Sequence, residues 1–186
     1  MYGKGFDSME IFIYIFATTL MIYVVAKTLS PDFVVKKPRH GVFGAYIIYS
    51  DQGQNKLLVS EKYDLQGKPD YIFKTRLTRK YIPVEIKSTQ LKEDEEYPHE
   101  GDLMQLVAYF LIIEDVYNRR PRYGRLIYKN RMFIVKNTRK LRRQLKNYLR
   151  EMRKMLETGK GEAFPSFPKC RNCVCQGTVC EWYKKE

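Results

Sequence analysis

The hydrophobic and polar positions of this chain fall into three regimes. From Ile11 to Ala26 (IFIYIFATTLMIYVVA) no residue is charged. From Gly44 to Lys87 short apolar runs alternate with polar turns, which predicts strands. Gly44–Ser50 reads as one strand and Lys56–Glu61 as its return strand, a hairpin across the turn Asp51–Asn55. Asp70–Phe73 and Tyr81–Lys87 read as two more strands joined by a basic turn. Beyond Glu100 the spacing becomes helical. The segment from Glu100 to Tyr117 is apolar nearly all round, which predicts a helix buried against a sheet. Arg125–Tyr128 and Met132–Val135 predict another hairpin. Thr138 to Thr158 predicts a second helix with Leu141, Leu145, Tyr148, Leu149, Met152 and Leu156 on one stripe. Gly159 and Gly161 end it. The order predicts an α/β fold: a central mixed sheet flanked by helices.

The uncharged N-terminal run spans about 24 Å as a helix at ~1.5 Å per residue, against a hydrocarbon core of about 30 Å. Met9, Thr28 and Leu29 extend it and Lys27 can snorkel. The expectation is a single-pass membrane helix. Lys27, Lys36, Lys37 and Arg39 follow it against Lys4 before it, which puts the following domain in the cytoplasm. The alternative is a buried N-terminal helix of a soluble cytoplasmic protein. A small-x-small cleavage site is missing, which argues against a removable signal peptide. Residues 30–40, with Pro31 and Pro38, read as a linker. The expected organisation is an N-terminal tail and transmembrane helix over 1–29, that linker, a core over 41–169 and a tail over 170–186.

Composition sharpens this. The 186 residues suffice for one domain and an appendage. A net charge of +13 favours a polyanion or an anionic membrane surface as partner. All four cysteines lie between Cys170 and Cys180, which points to a metal or cluster site rather than dispersed disulfides. Four thiolates so close can enclose Zn²⁺ or a [4Fe–4S] cluster. The Thr138–Thr158 helix carries Arg139, Lys140, Arg142, Arg143, Lys146 and further cations on its polar face, either a solvated surface or one that tracks phosphates.

The chemistry concentrates between Gly67 and Thr89 (GKPDYIFKTRLTRKYIPVEIKST). In a strand, side chains alternate faces, so Glu85 and Lys87 point one way while Val84 and Ile86 point the other. A Glu-x-Lys triplet alone is commonly a surface ion pair on an edge strand. Asp70 on the neighbouring strand adds a second carboxylate. Two carboxylates suit Mg²⁺ or Mn²⁺, which take oxygen ligands. Such an ion supports attack of water on a phosphate, and Lys87 beside it would position that water and stabilise the charged transition state. Gln105 and Tyr109, four apart on an apolar helix, share a face and require a partner there.

Gly67-Lys68-Pro69-Asp70 followed by Pro83-Val84-Glu85-Ile86-Lys87-Ser88-Thr89, with Gln105-Leu106-Val107-Ala108-Tyr109 behind it, resembles the PD-(D/E)xK nuclease superfamily in its RecB-like branch. The resemblance covers roughly residues 41–183. It implies a restriction-endonuclease-like core and a metal-dependent DNA nuclease, an exonuclease acting on single-stranded ends. Asp70, Glu85 and the Ile86 carbonyl would hold Mg²⁺ or Mn²⁺. Lys87 would position the water, and Gln105 and Tyr109 would steer the strand. The Pro-x-x-Cys tail, with Cys170, Cys173 and Cys180, is similar to iron–sulfur members of that branch, including the CRISPR-associated adaptation nucleases. This implies a [4Fe–4S] cluster, with zinc as the alternative. The family's fourth cysteine lies far upstream; this chain has none there, and Cys175 stands in. The family's metal-binding histidine on an upstream helix is also missing; His40 is the only upstream histidine and becomes the candidate ligand. The implied partners are single-stranded DNA and DNA-repair or CRISPR adaptation proteins, with no small-molecule substrate. The rival expectation is a membrane-tethered DNA-binding protein with an inactive nuclease fold.

Overall fold

The computed structural model describes residues 8–29, 33–37, 40–51 and 56–160. The chain divides into a unit over Met1–Leu145 and a second over Lys146–Glu186. The cysteine tail, Cys170 to Cys180, lies outside the described residues.

In the first unit, a mixed sheet forms around a continuous apolar strand. Its strands are β1 (Phe33–Lys36), β2 (Ala45–Ser50), β5 (Tyr71–Thr75), β6 (Tyr81–Ile86), β7 (Tyr123–Ile127) and β8 (Met132–Lys136), in the order β1-β8-β7-β6-β5-β2. Only β6 and β7 run parallel. Their crossover carries α2 (Glu100–Val116), the connection a parallel pair requires. A second sheet pairs β3 (Leu58–Ser60) with β4 (Leu65–Gly67).

β6 is central, flanked by β5 and β7, and its residues Ile82 to Glu85 are all buried. Ile82, Val84 and Ile86 face a cluster with Phe73, Ile127 and Met132. Glu85 and Lys87 face the other way, toward α2. The Glu-x-Lys triplet is therefore no edge-strand ion pair. α2 contributes Leu106, Val107, Phe110, Leu111, Ile112 and Ile113, all buried. It packs so closely on β7 that a Cβ on Gly124 would meet the Phe110 ring at 2.9 Å and the Pro83 carbonyl oxygen at 3.0 Å.

Three sequence expectations need correction. The segment ending at Ser60 does not return along β2; β3 pairs with β4, and β2 pairs with β5. Ser60 is fully buried and donates to Asp115 of α2 at 2.6 Å. That tertiary bond holds β3 under the helix. The expected linker over 30–40 contains β1, which pairs with β8 from Phe33↔Val135 to Lys36↔Met132. Its Val-Val pair gives a ladder that the flanking prolines conceal in the sequence.

The third concerns the N-terminal run. It forms α1 (Ser8–Leu29), and its side chains from Ile11 to Val25 are all exposed. Among the described residues, no helix is long and apolar enough to cross a membrane. The single-pass helix expected there is not met, and neither is the expected core burial.

α3 (Arg139–Thr158) begins in the first unit, where Leu141 and Leu145 are buried. In the second unit its stripe is open: Met152 is 58% exposed and Leu156 83%. Gly159, at φ 64°, ends the helix in the left-handed conformation that favours glycine.

Candidate active site

Asp70 lies just ahead of β5, and Glu85 near the end of β6. The antiparallel register pairs Tyr71 with Val84, so the two carboxylates arrive at the same end of the strand pair. Asp70 Oδ2 accepts a hydrogen bond from the Ile86 backbone N–H at 2.6 Å, fixing its carboxylate against β6. Asp70 also lines a cleft of about 330 Å³ with Asp51, Tyr71, Ile86 and Ser88.

From Glu85 a directional chain of hydrogen bonds crosses to α2. Lys87 Nζ donates to Glu85 Oε1 at 3.0 Å and to Gln105 Oε1 at 2.6 Å. Gln105 Nε2 donates to the Tyr109 hydroxyl at 2.8 Å, and that hydroxyl donates to the Lys68 carbonyl at 3.1 Å. The four-residue spacing of Gln105 and Tyr109 puts both on the face of α2 that looks down on β6. Each polar group on this apolar helix thus has a partner.

Asp102 was not foreseen. Its Oδ1 is 3.2 Å from Lys87 Nζ, so Lys87 sits between two carboxylates. Asp102 Oδ2 accepts from the hydroxyl of buried Tyr128 at 2.7 Å, and that hydroxyl accepts from the His99 N–H at 3.2 Å. The available signal was spacing: Asp102 stands one turn before Gln105.

The electrostatics follow from burial. Glu85 is 6% exposed. Desolvation pushes its pKa up, against the hydrogen bond from Lys87, and the negative charge of Asp70 adds to the rise. Burial works against the Lys87 ammonium, but the hydrogen bonds and charges of Glu85 and Asp102 prevail and hold its pKa above the ordinary lysine value. Lys87 is thus a fixed cation. The Tyr109 phenol is pushed up to about 12 by burial, with the charges of Glu85 and Asp70 adding to the shift. It remains a hydrogen-bond donor at neutral pH. Tyr128 is raised above the ordinary tyrosine value by burial and by its bond to Asp102.

The fit of a divalent cation can be judged on the carboxylates. Glu85 Oε2 is buried and has no hydrogen-bond partner. A buried carboxylate oxygen without a hydrogen-bond partner is a costly arrangement unless a cation compensates it. Mg²⁺ needs only one or two protein carboxylates beside substrate phosphate, so Asp70 and Glu85 fit it. Among the described residues, however, no group of three or more His, Cys, Asp or Glu side chains is placed to hold a metal ion. The exposed His40 therefore does not complete a trio with Asp70 and Glu85.

Sequence comparison adds no relative: no protein-family model matches the chain, and no curated protein does.

Proposed function

We propose that this chain is a metal-dependent nuclease of the PD-(D/E)xK type that acts on single-stranded DNA ends. The observation that carries the reading is the convergence of Asp70, Glu85 and Lys87 at one end of β5 and β6, with Lys87 tied to Gln105. Asp70 and Glu85, with the Ile86 carbonyl, would hold Mg²⁺ or Mn²⁺. When bound, the ion supplies Lewis acidity that polarises the phosphate and makes a neighbouring water more acidic.

The protein's own groups do the rest. Lys87, kept protonated by Glu85 and Asp102, would offer a positive charge to the negative charge that develops on the phosphate oxygens. Gln105 holds the ammonium in place, so little reorganisation is needed during reaction. Tyr109, still protonated, anchors the loop that carries Asp70 through the Lys68 carbonyl. In the family resemblance, the C-terminal cysteines add a [4Fe–4S] cluster or zinc.

The test is an assay of the purified chain on 5′- and 3′-labelled single-stranded DNA with Mn²⁺ or Mg²⁺. Cleavage that disappears in Glu85→Ala is expected. Near-wild-type cleavage by that variant would sink the assignment. DNA binding without cleavage in the wild type would favour an inactive nuclease fold.

A further inference from the structure

A second charged cleft lies at the opposite end of the strand pair from Asp70 and Glu85. The β5–β6 turn and the α2–β7 connection enclose about 310 Å³ there, lined by Arg79, Lys80, Arg119, Arg120 and Arg122, with Tyr81. No acidic residue lines it. Arg120 Nε is 3.9 Å from Glu114, a long contact. Among the described residues, no carboxylate pairs with Arg79, Lys80, Arg119 or Arg122.

Among the described residues, only the long Arg120–Glu114 contact offsets the repulsion of gathering these cations. The backbone on both sides of the cleft is also unusual. Arg79 has φ 47° and Asn118 φ 50°, left-handed conformations that non-glycine residues seldom adopt. Tyr81 contributes an aromatic ring, 5.2 Å from that of Tyr117.

We propose that this cleft binds the phosphate backbone of a nucleic-acid strand. Guanidinium forks match phosphate oxygens in pairs, and the four around this recess suit a chain of phosphodiesters. Tyr81 supplies the aromatic surface that strand-binding grooves add to charge. The link to cleavage rests on the nuclease reading above. From Tyr81 to Glu85 the strand rises about 13 Å at ~3.3 Å per residue, at most about four nucleotides at the ~3.4 Å rise of a fully stacked strand. A strand held in the cleft would thus reach the carboxylates only if it is longer than that.

The experiment measures binding of the full chain to a labelled single strand of about twenty nucleotides, by fluorescence anisotropy in EDTA, so that no cleavage is needed. Arg79→Gln/Arg119→Gln/Arg122→Gln is compared with a charge-matched variant of α3, Arg143→Gln/Arg150→Gln/Lys154→Gln. The cleft variant should bind at least about tenfold more weakly, and its slope of log affinity against log salt should fall by about 2. The α3 variant should lose less than half as much. If the triple variant does not fold, the single Arg119→Glu on the exposed connection should reproduce the loss. Wild-type binding retained by the cleft variants overturns the proposal, as does an equal loss in the α3 variant, which would mean diffuse charge. Loss of binding to phosphatidylserine vesicles with DNA binding intact also overturns it, in favour of lipid. A wild type that binds the strand through the cleft but cleaves nothing in Mn²⁺ sinks the nuclease reading alone.

Discussion

Glu85 is the residue on which the site's energetics turn. Its carboxyl is buried and its pKa is raised, so the folded protein holds that proton more tightly than the unfolded chain does. Stability from this group is therefore present at low pH. It is lost as pH rises from the ordinary carboxylate range through the raised value. In Glu85→Gln this loss should vanish. Without divalent cations, the melting temperature of the variant should gain on the wild type between about pH 4 and pH 7, as thermal melts at each pH would show. Mn²⁺ should raise the melting temperature of the wild type and leave that of Glu85→Gln unmoved, because only a ligand bound to the folded state stabilises it. Asp102 supports the same centre from α2. Asp102→Asn removes one of the two carboxylates holding Lys87 and weakens the acceptor of buried Tyr128. Cleavage should fall by about 10–100-fold through mispositioning of Lys87, with stability lower by about 1–3 kcal/mol. Kinetics and denaturant titration of that variant would separate the two effects.

At the scale of elements, the site depends on how closely α2 lies on the sheets. Gly67 ends β4, and a Cβ there would stand 2.8 Å from the Tyr109 ring. Gly67→Ala should push that ring aside and break its bonds to Gln105 and the Lys68 carbonyl. Overpacking of this kind costs about 1–3 kcal/mol. Gly124→Ala presses on Phe110, Leu106 and the Pro83 backbone from β7, away from the hydrogen bonds that link Lys87, Gln105 and Tyr109. Both variants should lose comparable stability in urea titrations. Only Gly67→Ala should lose cleavage beyond what its folded fraction explains. An equal loss in the two would show that the Tyr109 chain is merely structural.

For the molecule as a whole, the sheet begins earlier than the charge and proline pattern suggests. Phe33–Lys36 closes its β8 edge. A truncation starting at Pro31 should keep the wild-type melting temperature of the first unit. One starting at Gly41 removes β1 and should cost about 1–3 kcal/mol, at ~0.2–1 kcal/mol per cross-strand pair. Calorimetry of both truncations would check this.

The sequence by itself determined the local structure and the residue types of the candidate site. Short apolar runs between polar turns marked β2, β5, β6, β7 and β8, and the apolar run from Leu103 to Ile113 marked α2, because these patterns follow from which residues must be buried. The spacing of Glu85 and Lys87 fixed their shared face, and that of Gln105 and Tyr109 fixed theirs. Strand partners were not legible. An apolar strand accepts many neighbours, and only Ser60's bond to Asp115 beneath α2 shows why β3 pairs with β4. β1 was hidden because a four-residue edge strand carries too few positions to establish a period. Asp102 looked like an ordinary first-turn acidic residue until the β6–α2 crossover brought it to Lys87. The cations of the β5–β6 turn and the α2–β7 connection are some forty residues apart in the chain. Only the parallel pairing of β7 beside β6 makes them neighbours, because that pairing returns the end of α2 to the start of β6.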